Sequence, residues 1–186
     1  MLSTIFVLAL SALSMVDASS TKSSSDACGV GLANCNPPLK PLGLYQIYQP
    51  ARGVYLYKYV LNANPGGEGP LQVQKPSGHE NYLPMWWVRE VGKDRFNLEP
   101  YGSPGVHAAA HFPSPFDAPG SNLVFASLTS YPLVSTWAIE SAGNELWTIK
   151  VPNYNAVWKS NSTMISLEPA DGTPDEHWEL QYYGGP

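Results

Sequence analysis

Hydrophobic and polar residues alternate along most of the chain in short runs, and Gly, Pro and Asn residues separate these runs. This pattern is typical of short β-strands joined by turns. One triplet, an aromatic residue followed by a polar and an aliphatic residue, begins at Tyr45, Phe96 and Trp147, at intervals of 51 residues. A second triplet, Trp-x-aliphatic, begins late in each unit, at Trp86, Trp137 and Trp178. The chain therefore contains three units of related pattern.

The repeat predicts the fold. Each unit contains about four short strands, which gives about twelve in all. A single four-stranded unit cannot bury its apolar face, whereas three units around one axis can. A sandwich does not explain the repeat, and a propeller of three blades has fewer blades than usual. The pattern therefore predicts an all-β domain, a β-trefoil of three pseudo-symmetric units over residues 42–183.

The tryptophans divide into two groups. Those at repeat positions are predicted to lie in the core, since large aromatic residues are mostly buried; they are Trp86, Trp137, Trp147 and Trp178. Trp87 has the opposite strand parity from Trp86. Trp158 follows Val157, which aligns with the valines that open the second strand of the other units. We therefore expect Trp87 and Trp158 to be exposed and able to stack on a sugar or a partner.

The first 18 residues resemble a signal peptide. The apolar run over residues 5–13 is too short to cross a bilayer, and small residues near Ala18 suit cleavage after that position. A membrane anchor is the alternative. We expect a secreted protein that has no contact with a membrane once the signal is removed.

Residues 19–41 are rich in Ser and then in Pro, and are expected to form a flexible arm. The only two cysteines of the chain, Cys28 and Cys35, lie in this arm. In an oxidising compartment we expect them to form a disulfide bond.

Composition and motifs exclude several functions. The net charge of −5 and the lack of any Lys/Arg cluster argue against nucleic-acid binding. No nucleophile elbow, metalloprotease motif or phosphate loop occurs, so we expect neither an enzyme nor a cofactor. His107 and His111 have helical ligand spacing but fall in a predicted strand, where they would lie about 13 Å apart, too far to share a metal ion.

Asn161, Ser162 and Thr163 form an N-glycosylation sequon. We expect it on a hairpin tip, where a secreted chain would expose the asparagine. A chance occurrence of the tripeptide is the alternative.

Three stretches resemble a known family: GLYQIYQP (43–50), LVFASLTSYPLVSTWAIESAGNELWTI (123–149) and HWELQYY (177–183). They are similar to the β-trefoil serine protease inhibitors of mushrooms. The mycocypins, which inhibit cysteine proteases, and the ricin-type lectins are more distant relatives of that family. The resemblance implies a monomeric inhibitor of a trypsin-like serine endopeptidase.

The resemblance also suggests an inhibitory loop. Members of the family that inhibit trypsin can use the loop between the second and third strands, with an Asn entering the specificity pocket. In this chain the loop contains Asn62, Ala63, Asn64 and Pro65. An ordinary turn of Asn, Pro and Gly is the alternative. Lys159 is a second candidate for contact with the protease.

Carbohydrate binding is the alternative function, because trefoil lectins exist and Trp87 and Trp158 could stack on sugars. Ricin-type lectins have Gln two residues before the late Trp of each unit. Here those positions hold Pro84, Ser135 and Glu176. The resemblance to this lectin type is therefore weaker than that to the inhibitors.

Overall fold

Short β-strands form almost all of the regular structure in the computed structural model, which describes residues 36–58, 69–76, 84–112, 122–128 and 133–185. Within these ranges no α-helix occurs, and one 3-10 turn covers Pro174–Glu176. The strands are β1 (Leu42–Gln49), β2 (Val54–Lys58), β3 (Gly69–Gln74), β4 (Met85–Gly92), β5 (Arg95–Pro100), β6 (His107–His111), β7 (Val124–Ser127), β8 (Leu133–Val134), β9 (Ala138–Gly143), β10 (Leu146–Lys150), β11 (Val157–Asn161), β12 (Met164–Glu168) and β13 (Trp178–Gly184).

Six of these strands, the first and last of each unit, close into an antiparallel barrel. Around the ring, β1 pairs with β4, β4 with β5, β9 with β10, β10 with β13, and β13 with β1. The ring closes between β5 and β9, where Phe96 and Trp137 exchange two backbone hydrogen bonds, each 2.8 Å from nitrogen to oxygen. A closed barrel has no free strand edge.

The middle strands of each unit form three hairpins, β2–β3, β6–β7 and β11–β12. The third strands of the units contact one another in pairs: Gly69 with Ala126, Gln72 with Met164, and Leu123 with Ser166. The three hairpins therefore form one triangular layer. Their apolar residues share a single core with the barrel.

The same hydrogen bond joins the barrel to each hairpin. The indole nitrogens of Trp86, Trp137 and Trp178 donate to the backbone carbonyls of Leu56, Ala108 and Trp158, at 3.2, 2.9 and 3.2 Å. One bond per unit, from a tryptophan in or immediately before the last strand to the second strand, demonstrates the three-fold pseudosymmetry. The predicted β-trefoil is confirmed, with twelve strands in the three units and the two-residue β8 as an addition.

Aromatic residues occupy matching positions in the barrel. The aromatic residue of each first strand pairs across the ladder with the late Trp of the same unit: Tyr45 with Trp86, Phe96 with Trp137, and Trp147 with Trp178. All six are buried. The prediction that the four repeat tryptophans lie in the core is confirmed.

The end of the predicted arm packs against the barrel. The Asn36 side-chain amide donates to the carbonyl of Leu146, and the Lys40 backbone nitrogen donates to the Tyr45 hydroxyl at 2.9 Å. Leu39 packs on the core. Residues 36–41 therefore belong to the folded domain, which differs from the flexible arm predicted up to residue 41. The predicted signal peptide and the Cys28–Cys35 disulfide lie outside the described residues.

Replacement of Trp137 by Phe tests the repeated bond. The change leaves the Ala108 carbonyl without its donor in the core, and we expect it to lower the free energy of unfolding by roughly 2–4 kcal/mol. Urea unfolding measures the loss. Trp87→Phe, on a half-buried residue outside this network, is the control and should cost less than about 1 kcal/mol. Equal losses in the two variants would contradict the role of the bond.

Candidate functional site

The candidate inhibitory loop begins and ends on a well-defined hairpin. Asn62, Ala63, Asn64 and Pro65 lie within residues 59–68, outside the described part of the chain. The strands on either side pair in continuous register from Tyr55 with Gln74 to Lys58 with Leu71. Both ends of the loop are therefore fixed to neighbouring strands.

The end of this hairpin that carries the loop is also hydrogen-bonded to the second unit. The Lys58 ammonium donates to the Ser103 hydroxyl at 3.1 Å, and Ser103 lies in the turn between β5 and β6. Burial lowers the pKa of Lys58. The bond links the residue just before the candidate loop to a neighbouring turn. It therefore limits movement at the loop end of the hairpin.

Trp158 is fully buried, so the prediction that it stacks on a sugar is wrong. Its ring packs edge-on against Trp137, with centroids 4.9 Å apart. Its backbone carbonyl accepts the indole hydrogen bond of Trp178 at 3.2 Å. Trp158 is therefore a core residue at the junction of the third hairpin with the barrel.

A one-residue difference in register explains this error. Lys150 pairs with Val157 as Tyr48 pairs with Tyr55, so Val157 corresponds to Tyr55 and Trp158 to Leu56. The turn before β11 is one residue shorter than the alignment of valines assumed. In a strand, a shift of one residue moves a side chain to the opposite face.

Lys159 is also buried, with 7% of its surface exposed. Its ammonium lies 2.6 Å from an Asp171 carboxylate oxygen and 3.8 Å from one of Glu176. Insertion into a protease pocket would break both contacts and leave Glu176, itself buried, without its cation. The prediction that Lys159 contacts a protease is therefore wrong.

The segment between β12 and β13 is organised around this lysine. The Glu176 carboxylate accepts hydrogen bonds from the backbone nitrogens of Asp171 and Gly172, at 3.1 and 2.8 Å. Arg52 forms a two-pronged ion pair with Asp175, with nitrogen–oxygen distances of 3.0 and 3.1 Å. These charges anchor the segment to the first and third units, and their role is structural.

The pKa shifts of Lys159 and Asp171 are those expected of an ion pair. Burial lowers the pKa of Lys159, but the hydrogen bond and charge of Asp171, together with Glu176, outweigh burial and raise it. The hydrogen bond from Lys159 holds the pKa of Asp171 far below its usual range, with further help from Thr173. Both partners are therefore stabilised in their charged forms.

Two other predicted site residues are accessible. Trp87 is half-buried on the outside of β4, and its ring centroid lies 6.3 Å from that of Tyr101. Asn161 is exposed at the end of β11 and pairs with Met164 across a turn made of Ser162 and Thr163. The sequon therefore lies at a hairpin turn, as its sequence context indicated.

His107 and His111 lie in strand β6, as predicted. Within the described ranges no group of three or more His, Cys, Asp or Glu residues could hold a metal ion. The same residues include no helix of the length and hydropathy that a membrane span requires.

One groove, of about 140 Å³, lies between residues 37–40 and the barrel residues Tyr45, Trp147, Leu180 and Tyr182. Sequence reasoning missed it because the Pro-rich arm carries no periodic pattern. Its walls are mainly apolar, and burial raises the pKa of Tyr45 despite the hydrogen bond from Lys40. The arm itself forms one wall of this groove, and the barrel forms the other.

No protein-family model and no curated protein sequence matches the chain. Solved structures do match it. They include BEL, a β-trefoil in its apo crystal form, with 11% identity, a TM-score of 0.56, and coverage of 80% of this chain and 97% of that one. A proteinase inhibitor from Coprinopsis cinerea has 15% identity, a TM-score of 0.57, and coverage of 78% and 100%. SeviL bound to the asialo-GM1 saccharide has 10% identity, a TM-score of 0.54, and coverage of 75% and 96%.

At these identities the likeness concerns the fold. The similar structures are β-trefoils that cover the described domain, and they include both a proteinase inhibitor and a saccharide-binding protein. The chain is thus a β-trefoil protein, and its function has to be argued from its own residues.

The depressed pKa values of Asp171 and Asp175 predict sensitivity to acid. A carboxyl group whose pKa is lower in the folded state stabilises the fold above its unfolded pKa of about 4 and loses this effect as pH falls through the folded pKa. We expect the free energy of unfolding to decrease between about pH 5 and pH 2, modestly because Asp171 is exposed to solvent screening.

Urea unfolding across this pH range provides the measurement. Asp171→Asn should flatten the pH dependence, whereas Glu145→Gln, at an exposed turn residue, should leave it unchanged. An Asp171→Asn variant with the wild-type slope would show that the Lys159 ion pair does not contribute.

Proposed function

We propose that this protein is a secreted, non-enzymatic inhibitor of a trypsin-like serine endopeptidase. It would present the loop between β2 and β3, containing Asn62, Ala63, Asn64 and Pro65, in a substrate-like manner. The observation that carries the proposal is the fixed register of the hairpin that bears this loop, from Tyr55–Gln74 to Lys58–Leu71. Support also comes from the fold shared with a proteinase inhibitor from Coprinopsis cinerea.

A rigid base suits substrate-like inhibition. Such a loop must enter a protease cleft in an extended form, and binding is tighter when little conformational freedom remains to be lost. The strand pairing and the bond from Lys58 to Ser103 limit the freedom of the hairpin. A proline disfavours helical backbone at the residue before it, so the sequence Asn64-Pro65 suits the extended form that a bound substrate requires. Asn62 or Asn64 would enter the specificity pocket.

The proposed secretion rests on the N-terminal sequence. A signal peptide over residues 1–18 would direct the chain to secretion, and the oxidising compartment would allow Cys28 and Cys35 to form a disulfide. The bond from Asn36 to Leu146 begins immediately after Cys35. A disulfide there would join directly onto the part of the arm that packs on the barrel.

The second candidate function is carbohydrate binding. It is favoured by the half-buried Trp87 beside the exposed Tyr101, and by the fold shared with SeviL bound to asialo-GM1 saccharide. A panel of proteases and an array of glycans, both tested with the full chain, would distinguish the two functions. Protease inhibition supports the inhibitor whether or not a glycan also binds, and glycan binding without inhibition supports the lectin.

Substitution of the loop asparagines tests the inhibitory site. We expect Asn62→Ala or Asn64→Ala to weaken inhibition at least 10-fold, because one of these side chains fills the specificity pocket. Inhibition constants against trypsin-like enzymes provide the measurement. Gln74→Ala, an exposed change at the other end of the same hairpin, should leave inhibition unchanged.

If the Asn62→Ala/Asn64→Ala double variant still inhibits as the wild type does, this loop is not the inhibitory loop. If the wild-type protein inhibits no serine endopeptidase, the inhibitor proposal itself fails. The two outcomes separate an error in the site from an error in the function.

Secretion from a eukaryotic host should add one N-linked glycan at Asn161, because the side chain is exposed at a hairpin turn. Endoglycosidase treatment of the secreted protein should reduce its mass by one glycan, and Asn161→Gln should abolish this change. A secreted protein with the mass of the bare chain would contradict the assignment.

A further inference from the structure

The outer wall of the barrel carries a cluster of side chains that the inhibitor proposal does not use. Across the antiparallel ladder, Trp87 of β4 lies between Leu44 of β1 and Glu99 of β5. Cross-strand neighbours of this kind project from the same face, with Cβ atoms about 5 Å apart. Trp87 therefore lies at the centre of a three-strand face, between a buried leucine and a half-buried glutamate.

The next row of the same face supplies a second aromatic residue. Met85 pairs with Gln46, and its carbonyl accepts a hydrogen bond from the Tyr101 backbone nitrogen at 2.9 Å. The Tyr101 side chain is 62% exposed, and its ring is tilted 45° to that of Trp87. The two rings meet at an angle on the outside of the barrel, and neither belongs to the core.

Two polar residues lie on the same face of the sheet as these rings. Gln46 and Glu99 are half-buried, and within the described ranges neither side chain has a hydrogen bond or an ion pair. The nearby Gln181, in contrast, donates to Glu179 at 3.1 Å. Two polar groups beside two aromatic rings are thus available for an external partner. We call Gln46, Met85, Trp87, Glu99 and Tyr101 the aromatic wall.

We propose that the aromatic wall binds a neutral, pyranose-containing glycan; this inference rests on the carbohydrate-binding candidate above and gives it a site and a ligand class. The C–H face of a pyranose ring is apolar and packs on an aromatic face, while its hydroxyl groups need hydrogen-bond partners around the edge. The Glu99 carboxylate can accept from two hydroxyl groups, and the Gln46 amide can both donate and accept. The arrangement offers stacking and edge hydrogen bonds on one side of one sheet.

Charge and size select this class of ligand. The unpaired Glu99 and the net charge of −5 disfavour sialic or uronic acids, so a neutral sugar fits better. A protein partner would need about 800 Å² of this surface for a stable complex, which five residues do not supply. A single exposed aromatic residue would need no explanation, but a ring pair with two unused polar neighbours does.

This site is distinct from the proposed inhibitory loop. The aromatic wall lies on the barrel strands β1, β4 and β5, while Asn62 and Asn64 belong to the connection between hairpin strands β2 and β3. A glycan on the wall would therefore position the protein on a glycosylated surface independently of protease inhibition.

The test uses the full chain on an array of neutral and sialylated oligosaccharides, followed by titration with the neutral oligosaccharide that gives the strongest signal. We expect Trp87→Ala to weaken binding at least 10-fold, and Tyr101→Ala and Glu99→Gln each to weaken it several-fold. Trp87→Phe, which keeps a ring, should retain part of the affinity. Tyr183→Ala removes a similarly exposed tyrosine on another strand and should change nothing.

Thermal unfolding of each variant separates lost binding from lost folding, and Glu99→Gln alters no packing. The proposal is overturned if the wild-type chain binds no neutral glycan, if it binds only sialylated ones, or if Trp87→Ala and Tyr183→Ala bind equally. Protease inhibition measured on the same variants should be unchanged, so failure of the glycan site leaves the inhibitor proposal untouched.

Discussion

The hydrogen bond from a tryptophan indole to a hairpin carbonyl, repeated in the three units, is the interaction on which the rest of the structure depends. Each bond contributes only about 1 kcal/mol net, but a buried donor or carbonyl left without a partner costs about 1–3 kcal/mol. A hairpin displaced by one residue would lose its bond and would also turn its apolar face away from the core. The three bonds thus fix the register of the hairpin layer against the barrel.

The three hydrogen bonds constrain the barrel and the hairpins, but the connections between strands can differ from one unit to the next. In the third unit, the segment around Asp171 and Glu176 is used to neutralise Lys159 and fasten β11 to β13. In the first unit, the two strands on either side of residues 59–68 are paired in a fixed register, which suits a binding loop. Trp87 and Tyr101 on the outer wall of the barrel are not part of the core cluster, which leaves them free for the proposed recognition of a glycan. Pseudosymmetry of the core thus permits asymmetry of the surface.

The fold could be predicted from the sequence because its strongest signal is periodic. Buried positions such as Trp86 and Trp137 must satisfy the same geometry in each unit, so the residue type recurs. The error at Trp158 arose where one turn is a residue shorter than assumed, which reverses the face of the side chain. The error at Lys159 has a different cause, because its ammonium is paired with Asp171 and Glu176 of a segment distant in sequence. Aligning Trp158 with Leu56 and Ala108, both apolar, would have placed it correctly.

Other features depend on contacts that no local pattern encodes. The packing of Asn36 on Leu146 joins residues 110 positions apart in the chain. The neighbourhood of Trp87 and Glu99 depends on the register between β4 and β5, including a bulge near Glu90. A pattern search identifies each residue but not its neighbours across strands, so these two sites required the structure.

Hydrogen exchange of the six indole N–H groups tests the central claim most directly. The account predicts that the indole protons of Trp86, Trp137 and Trp178 exchange only through global unfolding, with protection close to the full unfolding free energy, while that of Trp87 exchanges rapidly. Exchange of any of the three at the rate of Trp87 would show that its hairpin opens locally. The repeated bond would then not be what holds the hairpins to the barrel.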